Sequence, residues 1–185
     1  MSLLTKQHAF DLLTPLKPFD QIEAQHLARI LDFLRHTDAP FFRDTLVGHI
    51  TASAVLVDAA HTQLLLIWHE KLQRWLQPGG HCEPEDASLP SAAQRELIEE
   101  TGLSVAAFTL LSARPFDVDV HPIPARGSEP AHFHYDVRFL FELSDLSGST
   151  DMLAGASQWR PIAEVAQLPE ASLARLALKL MPVLI

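Results

Sequence analysis

The run Arg95-Glu96-Leu97-Ile98-Glu99-Glu100-Thr101-Gly102-Leu103 concentrates more chemistry than any other part of the chain. At helical periodicity Glu96, Glu99 and Glu100 stand at i, i+3 and i+4, so three carboxylates project from one face. As plain helix chemistry this is unfavourable twice. Like charges at i,i+4 cost roughly 0.2–0.5 kcal/mol per pair. The last turn before a glycine cap also favours cations, and here it carries Glu99 and Glu100. A solvated acidic face is the ordinary alternative. A divalent cation would remove both penalties, because hard cations such as magnesium are bound by clustered oxygen ligands.

The preceding loop decides between these readings. Pro78-Gly79-Gly80-His81-Cys82-Glu83-Pro84-Glu85-Asp86 is a glycine-rich turn that leads through Ser88-Leu89-Pro90 into the helix. Pro90 suits a first helical turn, and Ser88 or Ser91 can supply the capping oxygen. The stretch from Gly80 to Leu103 resembles the Nudix box: a glycine, an acid six positions on, then Arg-Glu-apolar-x-Glu-Glu-x-Gly-apolar. Two departures stand out. The loop acid is Asp86 where the family usually has Glu, and one extra residue separates it from Arg95. Both bear on whether the loop acid supports the loop; the carboxylate run is intact.

The resemblance implies a metal-dependent hydrolase that cleaves the pyrophosphate bond of a nucleoside-diphosphate-linked small molecule. It assigns Mg2+ or Mn2+ to Glu96, Glu99 and Glu100, with the Gly80 carbonyl as a further oxygen. Attack by water on phosphorus also needs a general base, and Glu99 or Glu100 is the first candidate. Arg95, four residues before Glu99, can orient that carboxylate or reach back to Asp86; its bland reading is a surface ion pair. The implied fold is an α/β/α sandwich around a mixed β-sheet, on which dimers are common. The expected partner is therefore a phosphorylated small molecule, with a homodimer compatible.

A second constellation is rich in histidine. Alternation along a strand from His132 puts Phe133, Tyr135, Val137, Phe139 and Phe141 on one face, and His132, His134, Asp136 and Arg138 on the other. Asp117, Asp119 and His121 share a face of the preceding strand. If the two strands pair, the polar faces converge. Three readings stay open: a second metal site at His132, His134 and Asp136, suited to zinc or manganese; a polar wall of the substrate cleft, including His121, His132 and His134; or the wet face of an antiparallel strand. His81, beside the glycine loop, and His69 with Lys71 could touch substrate phosphates. Trp75 and Trp159 could stack on a base, although strand tryptophans are more often core.

Composition narrows the partners. The 185 residues carry a formal net charge of −9, which argues against binding a nucleic-acid backbone. An acidic protein can still bind phosphate when a metal supplies the positive charge. No apolar run approaches the ~20 residues that span a bilayer. Met1 to Lys6 lacks the form of a signal peptide, and the single cysteine, Cys82, excludes an intramolecular disulfide. Together these suggest a cytoplasmic protein with no membrane role. Cys82 lies beside Glu83 and reads as a bystander thiol.

These groups need elements to hold them. Residues 1–44 read as a helical extension, with one helix from about Thr5 to Leu13 and a second opened by the capping-box form Asp20-Gln21-Ile22-Glu23. Leu27, Ile30, Leu31 and Leu34 make its apolar face. The extension can pack on the main domain, on a second subunit, or serve as a substrate lid. Residues 45–185 read as the hydrolase domain, with strands at His49–Leu56, Gln63–Trp68, Arg74–Gln77, Val105–Leu111, Arg114–Val120 and His132–Leu143. Pro122–Pro130 is a loop by composition. Trp159–Ile162 ends a strand and runs into a helix at Pro161. Ser172 is the expected cap of a closing helix whose core face is Leu173, Leu176, Ala177 and Leu180. Two other functions fit the fold less well: a nucleotide sensor without catalysis, and isomerisation of an isoprenoid diphosphate, for which Cys82 is the only available thiol.

Overall fold

A computed structural model of the protein describes residues 4–70, 72–127, 129–144 and 156–182. The N-terminal region is helical as expected. Helix α1, Lys6–Leu13, is capped by the Thr5 hydroxyl, which accepts from the His8 amide. Helix α2, Gln21–His36, is capped by Asp20, whose side chain accepts from Glu23 N–H. Glu23 reaches back one residue further than a capping box requires and accepts from Phe19 N–H at 2.6 Å.

The strands are β1 (Gly48–Val57), β2 (Gln63–His69), β3 (Arg74–Leu76), β4 (Gly79–His81), β5 (Phe108–Leu110), β6 (Asp117–Ile123), β7 (His132–Leu143) and β8 (Ser157–Pro161). They form one mixed sheet ordered β3-β2-β1-β7-β5, in which β4 adds to β1, β6 to β7 and β8 to β2. The parallel pair β1–β7 is its spine, with Gly48 opposite Phe133 and Val57 opposite Glu142. Both faces are covered, so β1 is buried throughout although it alternates polar and apolar. Helix α3, Leu89–Thr101, packs with α1 and α2 on the face carrying Ile50, Ala52, Ala54, Val137 and Phe139. Helices α4 (Ile162–Val165) and α5 (Ala171–Leu180) cover Val55, Val57, Leu64 and Leu66 on the other.

Three boundaries differ from the sequence reading. Val105–Ala107 is a 3-10 turn, so β5 begins only at Phe108. Arg114–Phe116 lies outside β6, because Pro115 offers no amide and the Arg114 amide is taken by the Ser112 hydroxyl. At its other end β6 continues through Pro122 to Ile123, shortening the expected loop. Pro122 is tolerated there because β6 is an edge. Alternate amides of this strand face outward, and Val120 N–H donates to His26 Nδ1 of α2 at 3.3 Å. Helix α5 holds the same edge from the other side, where Arg175 donates to the Val118 carbonyl. The edge is thus covered against pairing with other chains. Ser172 is not a helix cap. Glu170 occupies that position without a side-chain bond, and the Ser172 hydroxyl instead accepts from Arg138 at 2.8 Å.

The N-terminal helices pack on the sheet. Phe33 of α2 stacks on Tyr135 at 4.0 Å, and Arg29 lies over the Phe133 ring. Glu23, fully buried, pairs with Lys179 of α5 at 2.5 Å. Trp75 and Trp159 pack against the two apolar clusters, which is the core role.

Candidate active site

Helix α3 is fixed at both ends. The Ser88 and Ser91 side chains cap each other's backbone amides, Pro90 occupies the first turn, and Gly102 closes the helix in the left-handed conformation (φ 71°). Buried Leu89, Ala92, Ala93 and Leu97 seat one face on the sheet. The opposite stripe presents Glu96 and Glu100 toward strand β4 and its glycines, while exposed Glu99 stands beside Arg95.

Arg95 binds the loop to the helix. Its Nε and Nη2 donate to the two Asp86 oxygens at 3.2 and 3.0 Å, and Nη2 also donates to the His81 carbonyl at 2.8 Å. Nη1 donates to Glu96 at 2.9 Å and to Glu99 at 3.2 Å. Asp86, buried, also accepts from Glu83 N–H at 2.8 Å. The shorter acid and the extra residue therefore still give a bidentate Arg–carboxylate pair. This guanidinium is part of the loop, not a surface ion pair.

Both glycines lie in close approach to their neighbours. A Cβ on Gly79 would collide with Ser53, and one on Gly80 would stand 2.8 Å from the Glu96 carboxylate. Gly79 N–H donates to Glu100 at 2.9 Å. Burial pushes the Glu100 carboxyl up to about 7; the Gly79 amide opposes the shift and the charges of Glu96 and Glu99 add to it. Burial also raises Glu96, against the opposing pull of Arg95. Three carboxylates, those of Asp86, Glu96 and Glu99, thus share one guanidinium, and that of Glu100 lies beside them on the Gly79 amide. This excess of negative oxygen is the donor set that a hard divalent ion fits.

Cys82 is buried, and burial with the nearby Asp86 charge pushes its thiol far up. A thiol buried in this way beside a carboxylate is a poor nucleophile, which argues against the isomerase chemistry that needs one.

Strands β6 and β7 pair antiparallel with His121 opposite His134, Asp119 opposite Asp136 and Asp117 opposite Arg138. The polar faces therefore converge, but into two groups. Asp136 is not with the histidines. Its carboxylate accepts from Thr51 and Ser53 at 3.0 and 2.8 Å, from Gln77, and from Arg138 at 2.9 Å. Arg138 also pairs with Asp117, which Arg175 holds from α5. The expected second metal set of His132, His134 and Asp136 is thereby corrected: a buried guanidinium and two hydroxyls occupy the aspartate. His49 takes its place. It sits on β1 directly opposite His134, with its ring 4.8 Å from His134 and 5.0 Å from His132. Sequence reasoning missed His49, although its alternation with Thr51 and Ser53 put it on a polar face; the parallel β1–β7 pairing was needed to see the meeting.

His81 leans on this cluster, 4.6 Å from the His49 ring and 5.2 Å from that of His134, and so joins the glycine loop to it. His121 is held by Asp119 at 3.0 Å and lies 5.5 Å from His134. Burial, with the neighbouring histidines, lowers His134 to about 2 and His49 to about 4, so both are neutral imidazoles at pH 7. The Nδ1 of His69 accepts from Leu72 N–H at 3.2 Å and closes a turn. Lys71 lies outside the described residues.

A family model described as NUDIX domain matches residues 48–181. The chain belongs to this family, the pyrophosphohydrolase family that its Gly80–Leu103 box resembles. Its fold is shared with solved members. An Ap4A hydrolase binary complex from C. elegans superposes with TM-score 0.56 at 19% identity, covering 73% of this chain and 96% of that one. A NUDIX-family hydrolase from Clostridium perfringens gives TM-score 0.51 at 20% identity, covering 74% and 98%. The E. coli dihydroneopterin triphosphate pyrophosphohydrolase gives 0.51 at 16% identity, covering 72% and 94%. No curated protein sequence matches significantly. Among the described residues no helix is long and apolar enough to cross a membrane.

Proposed function

We propose that the protein hydrolyses the phosphoanhydride of a nucleoside-diphosphate-linked small molecule, with Mg2+ or Mn2+ held by Glu96, Glu99, Glu100 and the Gly80 carbonyl. One observation carries the reading: the Glu96 carboxylate occupies the space that any side chain on Gly80 would need, so loop and helix are built around a shared oxygen cluster. A bound divalent cation would offset the phosphate charge and lower the pKa of attacking water. The chain's own residues divide the remaining work. Arg95 holds Glu96 and Glu99 in place while tying the loop acid Asp86 to the helix. Glu100, fixed by the Gly79 amide beside the proposed ion, is the candidate general base for the attacking water. His81, with His121, His132 and His134 beyond it, forms the polar wall on which the rest of the substrate would lie. Residues 1–44 act in this reading as a packed extension of the 45–185 domain, and the working compartment is the cytoplasm.

The test is product analysis on a panel of phosphoanhydrides (Ap4A, nucleoside triphosphates and nucleotide sugars) with and without magnesium. Release of phosphorylated products only with the metal supports the reading. Tight nucleotide binding without turnover under any divalent ion would favour a sensor instead.

A further inference from the structure

We propose that His49, His132 and His134 form a second metal site, for a divalent transition ion of the zinc class, on the sheet face next to the glycine loop. The inference stands on the histidines alone and is independent of the reading of the carboxylate helix.

One ring nitrogen from each of the three lies within 4.8 Å of the others. A tetrahedral ion bound at 2.0–2.1 Å needs ligand nitrogens about 3.3 Å apart. Binding would close that gap by rotation of the three rings, on a backbone held by the β1–β7 and β6–β7 ladders.

The hydrogen bonding points to a missing partner. His49 is 1% exposed, and among the described residues neither of its ring nitrogens has a hydrogen-bond partner. His132 is 7% exposed, and its Nε2 is likewise buried without a partner. Buried polar atoms are nearly always bonded, and leaving one unsatisfied costs about 1–3 kcal/mol. Three such nitrogens in two adjacent rings are a concentrated exception. His132 also carries the support that metal-binding histidines carry. Its Nδ1 lies 2.9 Å from the Pro130 carbonyl, so Nδ1 holds the proton and Nε2 offers its lone pair inward. The exposed Glu129 carboxylate, 3.9 Å from that Nε2, is within reach as a fourth ligand.

The donor set selects the metal. Imidazole nitrogen suits zinc, copper, iron or nickel, whereas magnesium and calcium take oxygen. Three imidazole ligands would leave the ion's double positive charge intact, and a Glu129 carboxylate as fourth ligand would reduce it to one. His81, packed on both His49 and His134, places that charge beside the glycine loop, where an anionic group of a bound substrate can meet it.

Full-length protein stripped with chelator and titrated with Co2+ tests this. The expected result is one equivalent of Co2+ in a low-coordinate cobalt–imidazole centre, read by its visible absorption and displaced by Zn2+, whatever further Co2+ the carboxylate helix takes up. His49→Gln, which keeps a polar side chain of similar bulk, and His134→Ala should each lower the absorbance at least tenfold. The Glu96→Gln/Glu100→Gln double variant should keep it in full. Failure of the wild-type protein to develop a saturable band overturns the proposal without recourse to any variant. A band that survives in folded His49→Gln and His134→Ala proteins, verified by circular dichroism, or that vanishes with the glutamates, overturns it too.

Discussion

Replacing Gly80 by alanine perturbs one contact and should separate catalysis from folding. Gly80 is a strand residue whose backbone an alanine can adopt, so the substitution brings only the new methyl. That methyl would stand 2.8 Å from the Glu96 carboxylate, whose ordinary contact begins at 3.4 Å, so the carboxylate must retreat by about 0.6 Å. Glu96 is not free to swing, because Arg95 grips it at 2.9 Å and it is largely buried. Misplacement by about 1 Å at a reacting centre costs on the order of 100-fold in rate. The expected loss of kcat/KM is therefore about 10- to 100-fold, together with a higher magnesium concentration for half-maximal rate. Both are read from initial rates across a magnesium titration. Thermal unfolding should shift by only a few degrees, since the site is at the rim of the fold. Unchanged turnover and metal dependence in the folded variant would refute the claim that loop and helix share an oxygen cluster.

Other outcomes follow from the same geometry. Glu100→Gln keeps an oxygen to accept from Gly79 N–H but removes the base, so turnover should fall by about 10²- to 10⁴-fold with thermal stability maintained. Arg95→Ala leaves buried Asp86 without its cation, and should lower stability by about 1–3 kcal/mol in denaturant titration as well as activity; Arg95→Lys should rescue little, because lysine cannot make the bidentate pair. Acid should expose the buried network behind the histidines. Burial opposes the charge of Asp119, but the Arg138 guanidinium and the His121 bond outweigh it and hold its carboxyl well below the usual range. A depressed folded pKa contributes stability that is present above the unfolded value near ~3.9 and lost as the pH falls below it. Wild-type stability should thus drop below pH ~4. Asp119→Asn should be less stable at pH 7 and flatter across that acid window, as followed by unfolding at a series of pH values.

The sequence carried some of these features and withheld others for identifiable reasons. The carboxylate helix, its Ser88 and Gly102 boundaries and the face of β7 are periodic, local patterns, and each is found where the pattern puts it. The apolar face of α5 is equally legible, but its cap is not: Ser172 is drawn off by a guanidinium 34 residues earlier in the chain. The same long-range competition removes Asp136 from the histidines, since Thr51 and Ser53 lie 85 and 83 residues away in sequence. His49 joins them only through a parallel pairing that local alternation cannot announce. Asp86 is the opposite case, where a shortened acid and a longer spacing still reach Arg95 because the loop adjusts.

The most direct measurement is anomalous diffraction from crystals soaked in Mn2+. The account predicts a peak in contact with the Glu96 and Glu100 carboxylates beside the Gly80 carbonyl, lost in the Glu96→Gln/Glu100→Gln protein. Crystals that bind manganese only at the histidines, or that leave these glutamates without a peak at saturating metal, would contradict it.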